Sequence, residues 1–237
     1  MNWAVDCLAI IPCFNEQTAI AGVVSATRKY LPNVLVVDDG SSDRTAELAR
    51  SAGAEMIRHE MNRGKGAALQ AGWRWGCERA FQWALTLDGD GQHSPADIPS
   101  FFRCLEEKSA SLVIGDRMGD AATMPCLRRF VNCWMSRRLS MVAGRELPDS
   151  QCGFRLMNLA TWATLSISTL HFEIESEVLL AFVLAGHRIE FVPIQVIYKG
   201  ERSKIHPIRD TIRWFRWWRR LQMTQIELRK GKSPGTG

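Results

Sequence analysis

The chain has 237 residues, 46% of them hydrophobic and 23% charged, with a formal net charge of +5. That length and apolar content can bury a substantial core, which excludes a disordered chain and suits one large domain. Seven cysteines, an odd number without a C-x-x-C pair, argue against a disulfide framework or zinc knuckle and fit a reducing cytosol.

The N-terminal half alternates short apolar runs with helical patterns. Residues 7–11, 34–37, 55–57 and 83–87 read as strands, and helices are expected near 17–30, 42–52 and 66–80. Repetition at this spacing predicts βαβ units and a mostly parallel sheet. Ser42-Asp43 is the expected N-cap of the 42–52 helix, Pro95-Ala96-Asp97-Ile98 opens a further helix, and 111–114 is another strand. The first six residues lack the cationic start of a signal peptide, and no uncharged apolar run of about 18 residues is present to span a bilayer.

Four strand ends carry polar motifs. Pro12-Cys13-Phe14-Asn15-Glu16 follows the first strand, with a proline expected to stop the ladder. Asp38-Asp39-Gly40-Ser41-Ser42-Asp43 follows the second, and an unpaired Asp38 or Asp39 there suits a base imide or a ribose hydroxyl. Asn62-Arg63-Gly64-Lys65-Gly66 is not a phosphate loop of the Walker type, because His59 stands where its first glycine belongs and Gly66 replaces the Ser/Thr. It can still hold a diphosphate through N–H groups and Lys65; a solvated basic turn is the alternative. Asp88-Gly89-Asp90-Gly91-Gln92-His93 puts two carboxylates one residue apart at a strand's carboxyl edge, where open α/β sheets bind ligands. Hard cations such as Mg²⁺ take oxygen ligands and share them with a substrate's phosphates.

These four motifs, in this order, resemble the family 2 glycosyltransferases of GT-A fold. Within them the chain is similar to the polyprenol-phosphate sugar synthases, the group of dolichol-phosphate mannose synthase. The resemblance runs from about Leu8 to Lys204. It implies an α/β fold, a Rossmann-like, mostly parallel sheet flanked by helices, for 1–204; the pattern of the residues themselves adds an amphipathic C-terminal helix and tail over 205–237. It implies nucleotide-sugar contacts at Pro12, Phe14, Glu16, Asp39, Lys65, Asp88 and Gly89, and a Mg²⁺ or Mn²⁺ held by Asp88, Asp90 and Gln92. Gly115-Asp116-Arg117 matches an element whose arginine meets acceptor phosphate. Arg128 and Arg129, Asp149 in the segment Asp149-Ser150-Gln151-Cys152-Gly153-Phe154-Arg155, and Arg202 and Lys204 in Gly200-Glu201-Arg202-Ser203-Lys204 match the remaining active-site motifs. Cys152 stands where Ser is commoner. An acidic motif at 173–177 implies that Glu175 or Glu177 orients an arginine, and His93 is expected to be a supporting turn residue.

The implied reaction is inverting transfer of a hexose from a GDP- or UDP-sugar to a polyprenyl phosphate, undecaprenyl or dolichyl. A hydroxyl acceptor needs a general base, for which Asp149 is the candidate, whereas a phosphate acceptor is already anionic and needs cations. The competing readings are a family 2 enzyme acting on a hydroxyl of a glycan or glycolipid, and a disabled membrane or nucleic-acid binding module.

Residues 201–232 hold ten Lys/Arg against three acids, so the basic character belongs to the tail. Helical spacing over 207–228 gathers Trp214, Trp217, Trp218, Leu221 and Leu228 on one face and arginines on the other. That pattern suits peripheral docking on the cytosolic face of a membrane, with 127–142 as a second contact. Packing of the tryptophans on the domain is the alternative, nucleic acid a remoter one. A membrane-anchoring partner or a homo-oligomer is left open.

Overall fold

The computed structural model describes residues 2–119, 124–197 and 207–230. The chain divides into two compact units, residues 1–200 and 201–237.

In the first unit α1 (Trp3–Asp6) leads into β1 (Cys7–Cys13), α2 (Ile20–Thr27), β2 (Val34–Asp38), α3 (Thr45–Ser51), β3 (Glu55–Arg58), α4 (Lys65–Glu78) and β4 (Trp83–Thr86). A 3₁₀ turn at Pro95–Asp97 precedes α5 (Ile98–Lys108) and β5 (Leu112–Asp116); α6 (Cys126–Ala143), β6 (Arg155–Asn158), α7 (Leu159–Ala163), α8 (Ile174–Leu184) and β7 (Ile189–Pro193) complete it. The described strands form one sheet ordered β3-β2-β1-β4-β6-β5-β7. β1 and β2 are buried at every position, as unbroken apolar runs must be when helices cover both faces of a parallel sheet.

All pairings are parallel except those of β6, which runs antiparallel between β4 and β5. Its N-terminal end therefore lies at the same edge as the carboxyl ends of β4 and β5. This reversal carries the loop of residues 149–154 to the edge where the strand-end motifs already meet.

One expectation changes in detail. Pro12 does not end β1: pairing with β2 continues through Pro12↔Val37 to Cys13↔Asp38. The Ala9 N–H points toward β2, donating to the Asn33 carbonyl at 2.9 Å, so by strand alternation the N–H that Pro12 lacks would face β4. On that side the ladder stops at Ile10↔Thr86, and the chain after β4 is released into the Asp88 loop. Within the expected Ser42-Asp43 start of α3 it is Asp43 that serves, its Oδ1 accepting the Thr45 N–H at 2.9 Å.

The second unit contains α9 (Pro207–Lys230). Trp214 stacks on Trp218 with ring centroids 5.3 Å apart and planes 8° from parallel, and Trp217 lies 5.9 Å from Trp214. The expected tryptophan face thus exists as a mutually packed cluster, as i, i+3, i+4 spacing requires. No helix among the described residues is long and apolar enough to cross a membrane.

Candidate active site

The loop after β4 is shaped by its own polar groups. Leu87 still donates to the Ile10 carbonyl at 3.2 Å, after which Asp88 N–H meets His93 Nδ1 at 3.3 Å and Asp90 Oδ1 accepts the Gln92 N–H at 3.0 Å. His93 is 4% exposed and lies 5.4 Å from the Phe154 ring, and burial pushes its pKa down to about 4. It is a neutral acceptor at ordinary pH, the supporting turn residue that was expected. Gly89 is buried against Cys13, and Gln92 is half-buried. On the far side of the loop Ile197 N–H donates to the Gln92 carbonyl at 2.9 Å, and His93 bridges to Val196.

Lys65, the first residue of α4, reaches into this loop. Its Nζ lies 2.6 Å from Asp88 Oδ1 and 3.0 Å from Glu175 Oε1. Burial opposes its charge, but Asp88 and Glu175 outweigh that and raise its pKa. Burial likewise works against the Asp88 carboxylate, yet Lys65, His93 and Arg117 hold its pKa below the usual range. Asp90 shifts the other way, raised by burial and by the neighbouring charge of Asp88. Behind Lys65, Arg155 Nε lies 3.0 Å from Glu175 Oε2, and its guanidinium donates to the carbonyls of Cys152, Glu175 and Ser150 at 2.7, 2.7 and 3.0 Å. Glu175 thus orients an arginine, while Glu177 instead accepts from Ser168 and Thr169.

The approach of these groups depends on Gly153. A Cβ there would lie 2.7 Å from Lys65 Nζ and 2.9 and 3.0 Å from the two Asp88 oxygens. Any side chain at 153 would occupy the space where Asp88 and Lys65 meet.

Asp149 is fully buried and grips Arg117 with both oxygens: Nε to Oδ2 at 2.6 Å and Nη2 to Oδ1 at 2.8 Å. The Gln151 N–H adds a bond to Oδ1 at 3.1 Å. Burial would raise the Asp149 pKa, but Arg117 and these N–H donors lower it on balance. Arg117 was expected to face acceptor phosphate; it is 5% exposed and committed to Asp149. Of the α6 arginines, Arg128 is half-buried and its positive charge reaches Asp90, whereas Arg129 is exposed. Arg202 and Lys204 lie outside the described residues.

The β1–β2 edge departs most from the sequence reading. Asp38 and Asp39 are not unpaired. Asp38 Oδ1 accepts the Ser41 N–H at 2.9 Å, and its Oδ2 lies 3.2 Å from Arg58 Nε. Asp39 Oδ1 meets His59 Nδ1 at 2.7 Å and the Arg63 N–H at 2.9 Å, while Oδ2 accepts the Gly64 N–H at 2.8 Å. Asp39 therefore fixes the turn that launches Lys65. Gly64 has φ +101°, and a Cβ on it would collide with His171 Nδ1 and the Leu170 carbonyl. Glu16 is buried with its N–H on Thr45 Oγ1 at 2.7 Å; Pro12 is buried and Phe14 half-buried beside it.

Whether a divalent cation fits can be judged from charge. Asp88, Asp90 and Glu175 outnumber the ion-paired Lys65 and Arg155 by one, the charge of Arg128 reaches Asp90 and offsets that excess, Arg117 cancels Asp149, and His93 is neutral. Among the described residues no three His, Cys, Asp or Glu side chains converge as a ready cage. Two carboxylates one residue apart offer oxygen donors that suit an ion taking its other ligands from water and a substrate's phosphates.

The family model for glycosyl transferase family 2 matches residues 8–125. The glycosyltransferase AglJ of Haloferax volcanii is 32% identical over 213 residues, 86% of this chain and 68% of that protein. The UDP-N-acetylglucosamine–dolichyl-phosphate N-acetylglucosaminyltransferase of Methanococcus voltae is 29% identical over 80% of this chain and 84% of its own. Among solved structures, glucosyl-3-phosphoglycerate synthase from Mycobacterium tuberculosis, in complex with Mn²⁺, UDP and phosphoglyceric acid, superposes with a TM-score of 0.65 at 19% identity. The match covers 89% of this chain and 74% of that one, a likeness of fold.

Proposed function

This chain belongs to glycosyl transferase family 2, and from that premise we propose that it transfers a hexose from a nucleotide-diphosphate sugar to a polyprenyl phosphate, with inversion at the anomeric carbon. The observation that carries the acceptor assignment is the Arg117–Asp149 pair. Asp149, the candidate general base, is buried, doubly bonded to a guanidinium and lowered in pKa. A carboxylate so held is a weak proton acceptor and has no path to a hydroxyl. A phosphate monoester carries its own negative charge and requires no base. The dolichyl-phosphate acceptor of the Methanococcus voltae relative supports the same class.

In this reading an oxygen of the acceptor phosphate attacks the anomeric carbon from the face opposite the donor diphosphate. The new C–O–P bond forms as the bond to the leaving diphosphate breaks, and the electron pair departs with the nucleoside diphosphate. Lys65 and Arg128 bring positive charge to the two phosphates, joined by Arg129, Arg202 and Lys204 from the flanking segments. Asp88, Asp90 and Gln92 would hold Mg²⁺ or Mn²⁺, consistent with the Mn²⁺ and UDP in the structural neighbour. Such an ion, when bound, neutralises the diphosphate as leaving-group charge develops. Pro12, Phe14, Glu16 and Gly89 line the nucleotide side, and Asp39 sets the turn that carries Lys65.

The catalytic domain of this proposal spans 1–204, and it works at the cytosolic face of a membrane. Leu127, Phe130 and Met141 on α6 are 69, 67 and 65% exposed, share one face with half-buried Trp134, and lie among Arg129, Arg137 and Arg138. An apolar stripe rimmed by arginine suits a headgroup layer; on α9 Trp214, Trp217 and Trp218 are buried, and Ile212, Phe215 and Met223 are the exposed apolar side chains, beside exposed Arg216, Arg219 and Arg220.

The test incubates purified protein with Mn²⁺, undecaprenyl phosphate in detergent and a panel of GDP- and UDP-sugars, with lipid-linked sugar followed by mass spectrometry. One donor should yield product. Donor hydrolysis without lipid product, together with glycosylation of a soluble hydroxyl acceptor, would overturn the acceptor assignment and leave the donor site standing.

A further inference from the structure

We infer that Lys65 is a resident competitor for the metal site: its ammonium holds Asp88 when no divalent cation is present, and must surrender that oxygen before the cation binds. The inference rests on the proposed assignment of Asp88 and Asp90 as metal-holding residues.

The geometry gives Lys65 two seats. At 2.6 Å from Asp88 Oδ1 its Nζ fills one ligation position of that oxygen, and a divalent cation bound to the same carboxylate meets a like charge at close range. At 3.0 Å on its other side lies Glu175 Oε1, a side chain 5% exposed and anchored through Oε2 by Arg155. Glu175 is too enclosed to be an ordinary solvated acid, and it keeps a partner ready for the ammonium when Asp88 is taken. Gly153 leaves the space beside Lys65 Nζ and the Asp88 carboxylate free of a side chain. Asp39 fixes the turn below Lys65, so the long side chain changes partner while its backbone stays in place.

Displacement has a thermodynamic consequence. A free divalent cation must break the Lys65–Asp88 contact at its own expense, which weakens its binding. A nucleoside diphosphate offers the displaced ammonium new anionic partners, so it recovers what the cation lost. Metal and nucleotide then bind with positive coupling, and linkage requires each to raise the affinity of the other by the same factor. Lys65 is the source of that factor, which separates it from a lysine that merely attracts phosphate.

The experiment measures Mn²⁺ binding to the full chain by electron paramagnetic resonance of the free ion, alone and with saturating UDP or GDP, for wild type, Lys65→Met and Lys65→Arg. With one pKa unit of interaction corresponding to a factor of ten, Lys65→Met should bind Mn²⁺ alone about tenfold more tightly than wild type. The enhancement by nucleotide should shrink by a similar factor. Lys65→Arg, which keeps the charge, should stay near wild type and guards against a folding artefact; circular dichroism and thermal melting compare the folds. Unchanged or weaker Mn²⁺ binding by a folded Lys65→Met protein overturns the inference while leaving the metal assignment intact. Failure of wild type to bind Mn²⁺ with either nucleotide overturns both.

Discussion

Arg117 and Asp149 meet across two parallel contacts of 2.6 and 2.8 Å in a site that water does not reach. The pair joins the end of β5 to the loop before β6, and it turns the most conspicuous acid of the second half from a reagent into a strut. Arg117 in turn contributes its positive field to Asp88.

Breaking that strut on one side should be costly. Asp149→Asn leaves a buried guanidinium without its countercharge, for which we expect a loss of about 3–5 kcal/mol in urea unfolding. A role for Asp149 as an exposed base would instead give an inactive protein of normal stability.

The same carboxylate fixes an acid limb. Its folded pKa lies below the unfolded value of about 3.9, so the folded state binds fewer protons near that pH. Its contribution is complete above about pH 4 and is lost as pH falls through the lower folded value. Wild type should therefore lose stability steeply below about pH 4, and Asp149→Asn more gently. Activity should follow the acceptor's second phosphate ionisation near pH 6, with no limb from Asp149 above that.

Asp90→Ala removes a carboxylate whose structural work is one hydrogen bond to Gln92 N–H, worth about 1 kcal/mol. Transfer should nevertheless fall by about 100-fold or more, as loss of a preorganised electrostatic group does. Thermal melting and the lipid-product assay separate the two effects, and turnover like wild type would remove Asp90 from the metal assignment.

Gly153→Ala places a methyl group against both Lys65 Nζ and the Asp88 carboxylate. The ammonium must move off Asp88 or the loop must shift, so donor binding should weaken several-fold at modest stability cost, about 1–3 kcal/mol. Calorimetric titration with nucleotide tests it.

Replacing Leu127, Phe130 and Met141 by Ser should cut sedimentation with anionic liposomes while detergent-based turnover is kept, because these side chains are solvent-facing in the free protein. Equal sedimentation would shift the docking role away from α6.

Much of the sheet edge that gathers the strand-end motifs was legible in the sequence because it is local. Each apolar run ends in its own polar motif within a few residues, so strands and strand-end acids announce themselves together. The pairings that give those acids their roles are not local. Glu175 stands 110 residues beyond Lys65, and Asp149 stands 32 beyond Arg117. Asp39 looked free because its partners His59, Arg63 and Gly64 arrive only when β3 closes beside β2. The five residues of β7, with one acid and a terminal proline, are too short a run for periodicity to identify. The antiparallel course of β6 has no local signature, since four residues, Arg155–Asn158, read alike in either direction.

The direction of that short strand governs the alignment of two ion pairs, Lys65–Asp88 and Arg155–Glu175. Its ladder to β4 and its ladder to β5 share the same residues, with Leu156 opposite both Leu85 and Val113. A slip of two residues would carry Gly153 and Arg155 about 7 Å along the sheet, away from Asp88 and Glu175 together. Register fidelity in β6 is thus also a measuring device: the spacing of Gly153 from Asp88 and of Arg155 from Glu175 is set by the hydrogen bonds that hold β6 between β4 and β5.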